Sequence, residues 1–246
     1  MQLDSNVVLV TGGASGIGLA IAQRFLKVGS QVIVCGRRES KLREAQEWHP
    51  GLAVRVCDLA RAADRVLLVD WATTEFPGLN VLVNNAGIQR RVQLAEDEDW
   101  ETTREEFAIN LEAPVHLSKL MIPHLRKRER AAIVNVTSGL AFAPRAQTPI
   151  YCATKAALHS FTISLRHQLK DTSIEVVEII PPAVDTDLGG VGLHTFGVPV
   201  DEFADAVMPR VGAGELEVAY GFAQQSSRAS REEIDAIVAR MNADPV

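Results

Sequence analysis

The chain has 246 residues, of which 47% are apolar, and its formal net charge at pH 7 is −6. This composition can bury one large core, and no linker rich in proline or serine divides the chain, so we expect a single domain over residues 1–246. The negative net charge argues against a surface that binds nucleic acid. No apolar run reaches the roughly 18 residues that a membrane span needs, and the first residues lack the pattern of a secretory signal. We therefore expect a cytoplasmic protein with no membrane partner.

A glycine-rich turn follows the first predicted strand, residues 7–10, and reads TGGASGIG from Thr11 to Gly18. The first glycine permits a tight turn, the second lets a pyrophosphate approach the backbone, and the third lets the following helix pack close to the strand. The exposed N–H groups at such a helix start bind phosphate. The candidate cofactor-binding residues here are Gly12, Ser15, Gly16, Ile17 and Gly18. Taken alone, the pattern also fits an ordinary tight turn.

The second predicted strand, residues 31–35, ends before Gly36, Arg37 and Arg38. An NAD site normally has a carboxylate here, about 20 residues after the glycine turn, that bonds both ribose hydroxyls. Gly36 cannot provide one, whereas the two arginines can neutralise a 2′-phosphate and bind it with forked hydrogen bonds. We therefore expect NADP as the cofactor. NAD stays the less favoured alternative, because surface arginines also precede helices for other reasons.

Apolar strands continue to alternate with helical patterns along the rest of the chain. Strands are predicted at residues 53–56, 81–84, 132–137, 175–180 and 216–220. This alternation is typical of an α/β fold, a doubly wound parallel sheet of about seven strands with helices on both faces. Ligands of such sheets bind beyond the carboxyl ends of the strands, where Gly12, Asn84 and Ser138 are expected.

A proline interrupts the long helical pattern over residues 100–125. Pro114 has no N–H group, so the carbonyl of Asn110, four residues earlier, loses its partner within the helix and the helix should bend. A free carbonyl can hold a water molecule, which makes Asn110 a candidate site residue. The alternative is a proline that only bends the helix around the core.

Tyr151 and Lys155 are four residues apart in a segment, residues 148–170, whose leucines recur at helical spacing. Both side chains are therefore expected on one face of a helix. A phenol has a pKa of about 10 and is a poor base at neutral pH, but an adjacent ammonium group favours the phenolate. We expect Lys155 to supply that charge.

The glycine turn, the NNAG segment at residues 84–87, Ser138 and the YCATK segment at residues 151–155 occur in this order over about three quarters of the chain. Together they resemble the short-chain dehydrogenase/reductase superfamily, which implies a Rossmann fold and an NAD(P)-dependent oxidoreductase acting on a small alcohol or carbonyl compound. The resemblance implies that Tyr151 exchanges a proton with the substrate oxygen, that Lys155 also holds the ribose hydroxyls, and that Ser138 bonds the reacting carbonyl. It also implies that Asn110 links Lys155 to solvent.

Further cofactor contacts follow from the same resemblance. They are Asp58 and Leu59 at the adenine, Asn84, Ala86 and Gly87 at the adenosine, and Pro181, Val184 and Thr186 at the nicotinamide. The family usually has glycine after the proline at 181, whereas Pro182 here removes an N–H group and stiffens this wall. The stretch IIPPAVDTDLGG and the tail SREEIDAIVARMN look most like a bacterial subgroup, the DltE-like oxidoreductases.

The segment 187–199 is short, rich in glycine and mildly apolar, as expected of a lid over the substrate. With Ile88, Leu140 and Phe142 it predicts a compact, largely apolar pocket without a charge clamp. The six histidines show no ligand spacing, so we expect no metal site, and the three cysteines fit reduced thiols.

A helix is predicted over residues 230–242, with a capping box formed by Ser230 and Glu233. Its apolar stripe packs either on its own subunit or on a neighbour. The helix over residues 148–170 presents a second face of small residues that permits close approach of a partner helix, so we expect a homodimer or homotetramer. These small residues are Ala153, Ala156, Ser160 and Ser164.

Two other classes of protein compete with an oxidoreductase. A cofactor-binding sensor or scaffold without turnover would keep the fold, but such proteins typically lose the tyrosine or the lysine, and this chain has both. A sugar-nucleotide epimerase or dehydratase usually has different glycine spacing and an added substrate domain, for which the sixty residues after Thr186 are too few.

Overall fold

The computed structural model describes residues 1–95 and 99–243, so the last three residues of the predicted domain lie outside the described part. Its strands are β1 (Val7–Thr11), β2 (Gln31–Gly36), β3 (Leu52–Val56), β4 (Val81–Asn84), β5 (Ala131–Val136), β6 (Ile174–Ile180) and β7 (Glu217–Ala219). All seven pair in parallel in the order β3-β2-β1-β4-β5-β6-β7. The doubly wound fold is thereby confirmed, and each predicted strand agrees with the structure to within one residue at either end.

Helices connect the strands and cover both faces of the sheet. They are α1 (Gly16–Lys27), α2 (Glu39–Trp48), α3 (Ala62–Glu75), α4 (Trp100–Phe107), α5 (Ala113–Leu125), α6 (Pro149–Gln168), α7 (Val200–Gly212), α8 (Phe222–Ser226) and α9 (Arg231–Met241). The order of the strands reverses between β1 and β4, so the crossover helices diverge there and leave a crevice at the carboxyl ends of the strands.

The core consists of two apolar layers separated by the sheet, and β1 shows how the sequence builds them. Val8 and Val10 enter the layer beneath α1 and α7, whereas Leu9 between them enters the layer beneath α3, α5 and α6. Because side chains alternate between the faces of a strand and both faces are covered, each of these residues is fully buried. Burial of one such side chain contributes about 1.5–3 kcal/mol.

The proline in the long helical pattern has the local effect that its chemistry predicts. A π-helical turn, Ala108–Glu112, separates α4 from α5, and the N–H of Ala113 bonds the carbonyl of Ala108. Pro114 follows in the first turn of α5 within the same continuous helical run, so its missing N–H leaves a carbonyl of the π-helical turn without that donor. Asn110 therefore lies in the wide turn, and π-helical turns of this kind are frequent at functional sites.

The carboxyl-terminal helix packs on its own subunit. The capping box is present, with the Ser230 hydroxyl accepting from the Glu233 N–H and the Glu233 carboxylate accepting from the Ser230 N–H. Ile237 is buried, and Asn242 accepts from the Ala146 N–H at 2.6 Å. The helix thereby holds the loop between β5 and α6. No helix among the described residues is long and apolar enough to cross a membrane.

Candidate active site

A cavity of about 1270 Å³ lies beyond the carboxyl ends of the strands, and the glycine-rich turn forms one wall. Gly12 has φ +63°, and a Cβ there would lie 2.9 Å from the Cα of Ala86. A Cβ on Gly18 would lie 2.5 Å from the Gly12 carbonyl oxygen. Ser15 makes no side-chain cap to α1. Only glycine fits the first and third positions, and the first N–H groups of α1 border the cavity.

Most of the predicted site residues line this one cavity. Its lining includes Gly12, Ser15, Gly16, Ile17, Gly18, Arg37, Arg38, Asp58, Leu59, Ala86, Gly87, Ser138, Tyr151, Lys155, Pro181, Val184 and Thr186. They come from six strand ends and from α6, which shows that residues far apart in sequence converge on one crevice.

Asn84 is not part of the lining. Its side-chain amide is buried and donates to Asn135 Oδ1 at 2.9 Å and to Ser118 Oγ at 3.2 Å, so it ties β4 to β5 and α5. The following residue, Asn85, faces the cavity instead and donates to the Thr11 carbonyl at 2.9 Å. Sequence analysis missed Asn85 because strand β4 ends at residue 84, and only the turn after it decides which amide points outward.

Asn110 also lies behind the cavity wall. Its Oδ1 accepts from the Ile88 N–H at 2.9 Å, and its Nδ2 donates to the Ile88 carbonyl at 2.8 Å and to Thr154 Oγ1 at 3.3 Å. The amide therefore clamps the segment after β4 against α6. A Cβ on Gly87 would lie 3.4 Å from Asn110 Oδ1 and 3.7 Å from Lys155 Nζ, so the missing side chain at Gly87 leaves these two groups next to the cavity.

Ser138 and Tyr151 meet at the inner end of the cavity. Ser138 caps a 3-10 turn, Gly139–Ala141, by accepting from the Leu140 N–H at 3.1 Å, and its side chain and the Tyr151 phenol line the same part of the cavity. Burial raises the pKa of Tyr151 well above its usual value, and the nearby Ser138 hydroxyl opposes this only in part. The phenol is therefore neutral at physiological pH.

Lys155 is buried one helical turn after Tyr151. Its Nζ donates to the Val136 carbonyl at 2.8 Å and lies 5.6 Å from the centre of the Tyr151 ring. Burial lowers the pKa of Lys155 to about 8, and the carboxylates of Glu106 and Glu178 oppose this shift. Burial of the phenol opposes the phenolate, and Lys155 is not among the groups that shift the pKa of Tyr151, so the activation of Tyr151 by Lys155 stays a prediction.

Glu178 forms a buried polar cluster behind the site. It is inaccessible to solvent on β6, accepts from Thr137 Oγ1 at 2.6 Å, and contacts His159 Nδ1 with both oxygens at 2.9 Å. The Glu178 hydrogen bond raises the pKa of His159 above its usual value. A glutamate inside the apolar run of β6 was the available signal for this cluster, because an ion there needs partners.

The two arginines after β2 border the outer part of the cavity. Arg37 Nη1 forms an ion pair with Glu105 Oε1 at 2.7 Å, and Arg38 Nη2 lies 3.4 Å from Ser15 Oγ. Glu105, on α4, also pairs with Arg90. Its carboxylate therefore links α4 to the loop after β2, through Arg37, and to the segment after β4, through Arg90. Arg37 is more than half exposed, so its guanidinium can reorient toward a bound anion.

The substrate end of the cavity is more polar than the sequence predicts. Ile88 and Leu140 line it as expected, but Phe142 packs edge-on against the His159 ring instead, with centroids 4.5 Å apart. Arg145 and His194 are also in the lining, and whether either acts as a charge clamp on a substrate stays a prediction. Met241 of α9 also reaches the cavity. Arg145 belongs to no motif, so the sequence contained no local signal for it, whereas Met241 lies in the predicted carboxyl-terminal helix.

The segment 187–199 covers one side of this end. His194, Gly197 and Val198 are among its lining residues, while the Val191 and Phe196 side chains are mostly exposed. Val198 forms an isolated bridge to Val184, which attaches the end of the segment to the cavity wall. Across residues 1–95 and 99–243, no group of three His, Cys, Asp or Glu side chains is placed to hold a metal ion.

The chain is similar to short-chain dehydrogenases and to other oxidoreductases. The family model described as short chain dehydrogenase matches residues 6–191. The uncharacterized oxidoreductase DltE of Bacillus subtilis is 45% identical, and the match covers 98% of each chain. The NADP-dependent 3-hydroxy acid dehydrogenase YdfG of Escherichia coli is 32% identical over 72% of each chain.

Solved structures with the same fold include cofactor complexes of both kinds. A short-chain dehydrogenase from Sphingobium yanoikuyae in complex with NADPH is 29% identical, with a TM-score of 0.76 over 87% of this chain and 86% of that one. The 3-ketoacyl-(acyl-carrier-protein) reductase from Brucella melitensis, complexed with NADH, is 27% identical, with a TM-score of 0.80 over 90% of this chain and all of that one.

Proposed function

The chain belongs to the short-chain dehydrogenase/reductase family and is an NAD(P)-dependent oxidoreductase, and from this premise we propose that it transfers a hydride between NADP(H) and a small alcohol or carbonyl compound. One observation carries the proposal: the Tyr151 phenol, with Ser138 and Lys155, lines the same cavity as the glycine turn and the arginines after β2. The same cavity therefore has a candidate proton donor at one place and groups that can bind the phosphates of a cofactor at another.

The lining fits a dinucleotide phosphate. A Cβ on Gly16 would lie 3.2 Å from Thr186 Cγ2 and would close the cavity where the α1 N–H groups face it. Those groups and the helix dipole favour a pyrophosphate, and Arg37 and Arg38 favour a 2′-phosphate. Lys155 and Tyr151 would hold the ribose, and Val184 and Thr186 the carboxamide. The bound nicotinamide supplies or accepts the hydride.

The protein side of the reaction is a proton transfer at the substrate oxygen. Ser138 donates a hydrogen bond that fixes the carbonyl oxygen, and the neutral Tyr151 phenol gives its proton to that oxygen as hydride arrives at the carbon. The neutral phenol is the form that carbonyl reduction consumes, and the phenolate is the form that alcohol oxidation consumes. NADP-dependent relatives such as the YdfG dehydrogenase support the cofactor assignment by similarity.

The assay is oxidation of NADPH in the presence of aldehydes, ketones, quinones and oxo acids. The oxo acids are included because Arg145 and His194 border the substrate end. Tyr151→Phe is expected to lower kcat by at least about 100-fold while the dissociation constant for NADPH changes little, since one proton and little contact area are lost. Tyr220→Phe is the matched control, because that phenol bonds Glu202 away from Ser138.

The same assay separates the competing class. A cofactor-binding sensor or scaffold would bind NADPH and oxidise none of these substrates at a measurable rate. Retention of turnover by Tyr151→Phe would show that another group supplies the proton and would reject the mechanism.

We also propose a lid, a location and an assembly. Residues 187–199 would close over the substrate, and the protein would act in the cytoplasm as a homodimer or homotetramer. The assembly is supported by the outer face of α6, where Ala153, Ser160 and Ser164 are exposed and small. Two copies of this face can approach closely around a two-fold axis.

A further inference from the structure

Glu106, in the last turn of α4, is a buried carboxylate without a hydrogen-bond partner. The residue has no solvent exposure, and neither of its oxygens is bonded by any described residue. Burying an ion in this way costs folding free energy, and the few unsatisfied buried groups of native proteins call for an explanation. Such groups concentrate at functional sites.

The surroundings of Glu106 lead to the candidate active site. Its charged and titratable neighbours are Arg90, from the segment after β4, and Tyr151, Cys152 and Lys155, from α6. The Arg90 guanidinium is held by Glu105 and by the Thr102 carbonyl. Helix α4, which carries Glu106, packs directly against α6, which carries Tyr151 and Lys155.

Lys155 is the cation in this group that has no carboxylate within ion-pair distance among the described residues. Its ammonium group is buried and bonds only the neutral Val136 carbonyl. The second carboxylate that acts on it, Glu178, is already held by His159 and Thr137. Of the two carboxylates that act on Lys155, Glu106 is therefore the one that has no hydrogen-bond partner of its own among the described residues.

We propose that Glu106 is a positioning residue of the reaction, the buried counter-ion that keeps Lys155 charged. The inference rests on the proposed function, in which the Lys155 ammonium holds the cofactor ribose beside Tyr151. Burial raises the pKa of Glu106 to about 7, with Arg90 and Lys155 opposing, and lowers the pKa of Lys155 to about 8. Both groups are charged together only near neutral to mildly alkaline pH.

Glu106→Gln tests this role because glutamine matches the protonated carboxyl in shape. At pH 6 Glu106 is protonated in the wild type, so kcat/KM of the variant and the wild type should agree. At pH 8 Lys155 of the variant lacks its counter-ion and loses its charge earlier. We expect kcat/KM of the variant to be at least about threefold lower there, with the alkaline limb of the profile moved to lower pH.

Thermal unfolding provides a readout that is independent of turnover. The pKa of Glu106 is higher in the folded than in the unfolded chain, so its protonated form stabilises the fold at acid pH, and this stabilisation is lost as the pH rises through about 7. Glu106→Gln should therefore raise Tm by about 3–8 °C at pH 8 and change it little at pH 5. Glu106→Asp keeps the charge and should recover part of the wild-type pH profile.

Glu101→Gln is the matched control on the same helix, because its side chain is largely exposed and pairs only with Arg104. A loss of activity that is equal at pH 6 and pH 8, an unchanged profile, or an unchanged Tm at pH 8 would overturn the proposal. An insoluble Glu106→Gln protein would contradict the expected rise in Tm. Failure of the proposed function itself would appear separately, as turnover that survives Tyr151→Phe.

Discussion

The proposed preference for NADP rests on Arg37, which in the structure is paired with a competing acid. Its guanidinium pairs with Glu105 Oε1 at 2.7 Å, and the same carboxylate holds Arg90. A 2′-phosphate must replace this carboxylate as the partner of Arg37. Exposed ion pairs are worth about 0.2–1 kcal/mol, so the competition is weak but measurable.

Replacing Arg37 and replacing Glu105 should change the affinity for NADPH in opposite directions. Arg37→Glu is expected to reverse the preference from NADP to NAD, because an acid repels the 2′-phosphate and can bond ribose hydroxyls. Glu105→Gln is expected to tighten NADPH binding about two- to fivefold by releasing Arg37. Fluorescence titration of both cofactors measures this, and equal affinities of the wild type for the two would reject the assignment.

His159 and Glu178 predict a pH dependence of stability. Glu178 raises the pKa of His159 in the folded state, so the charged pair stabilises the fold fully below the unfolded pKa of about 6.5, and this stabilisation is lost as the pH rises through the folded value. His159→Gln should lower the free energy of unfolding by about 2–4 kcal/mol at pH 6 and by less at pH 9.

Urea unfolding at the two pH values measures this difference. His167→Gln, an exposed histidine on the same helix, is the control and should have no comparable effect. A destabilisation by His159→Gln that does not depend on pH would mean that the histidine is neutral in the folded protein.

At the scale of single elements, the capping box of α9 is a local sequence signal that determines which residues of this helix reach the cavity. The capping box fixes where the helix begins, and the helix then carries Met241 to the cavity and Asn242 to the loop after β5. A short helix of this kind depends on its cap, because its first N–H groups have no partners within the helix.

Ser230→Ala should therefore lower the free energy of unfolding by about 0.5–2 kcal/mol. It should also raise KM for the carbonyl substrate more than it lowers kcat, since Met241 borders the cavity but lies outside the proton-transfer site. Ser227→Ala, three residues earlier, is the control. An unchanged Tm and KM in Ser230→Ala would show that packing of Ile237 alone holds the helix.

The sequence predicts one bent helix over residues 100–125, and the structure has two helices there, α4 and α5, joined by a π-helical turn. The proline indicated a bend near Asn110, and the structure has a π-helical turn there. The sequence analysis assigned a role to the Asn110 carbonyl, whereas the side-chain amide makes the observed contacts to Ile88 and Thr154. Those partners lie on other elements, so spacing along the helix could not reveal them.

At the scale of the whole molecule, the outer face of α6 makes an assembly prediction. A homodimer or homotetramer should be seen by light scattering at micromolar concentration with cofactor present. Ser160→Arg places a long charged side chain on the exposed face and should yield monomers with an unchanged fold. Thr74→Arg, at an exposed position on α3, is the control for added charge. A monomeric wild-type protein under these conditions would contradict the assembly.

Periodicity and short-range chemistry along the sequence alone determined the α/β class, the strand limits, the glycine turn and the positions of Ser138, Tyr151 and Lys155. These features depend on neighbours within a turn or a strand, and the chain order of the motifs supplied the rest. The parallel sheet then follows, because apolar strands that alternate with helices must be covered on both faces.

Only the tertiary structure decided the electrostatics around Lys155 and the outer contacts of the cavity. Glu106 comes from α4, Glu178 from β6 and Met241 from α9, and no motif links them to YCATK. The burial that raises the pKa of the Tyr151 phenol is likewise set by the tertiary structure. Desolvation and Coulomb interactions depend on burial and on distance through space, and neither quantity can be read from separation along the chain.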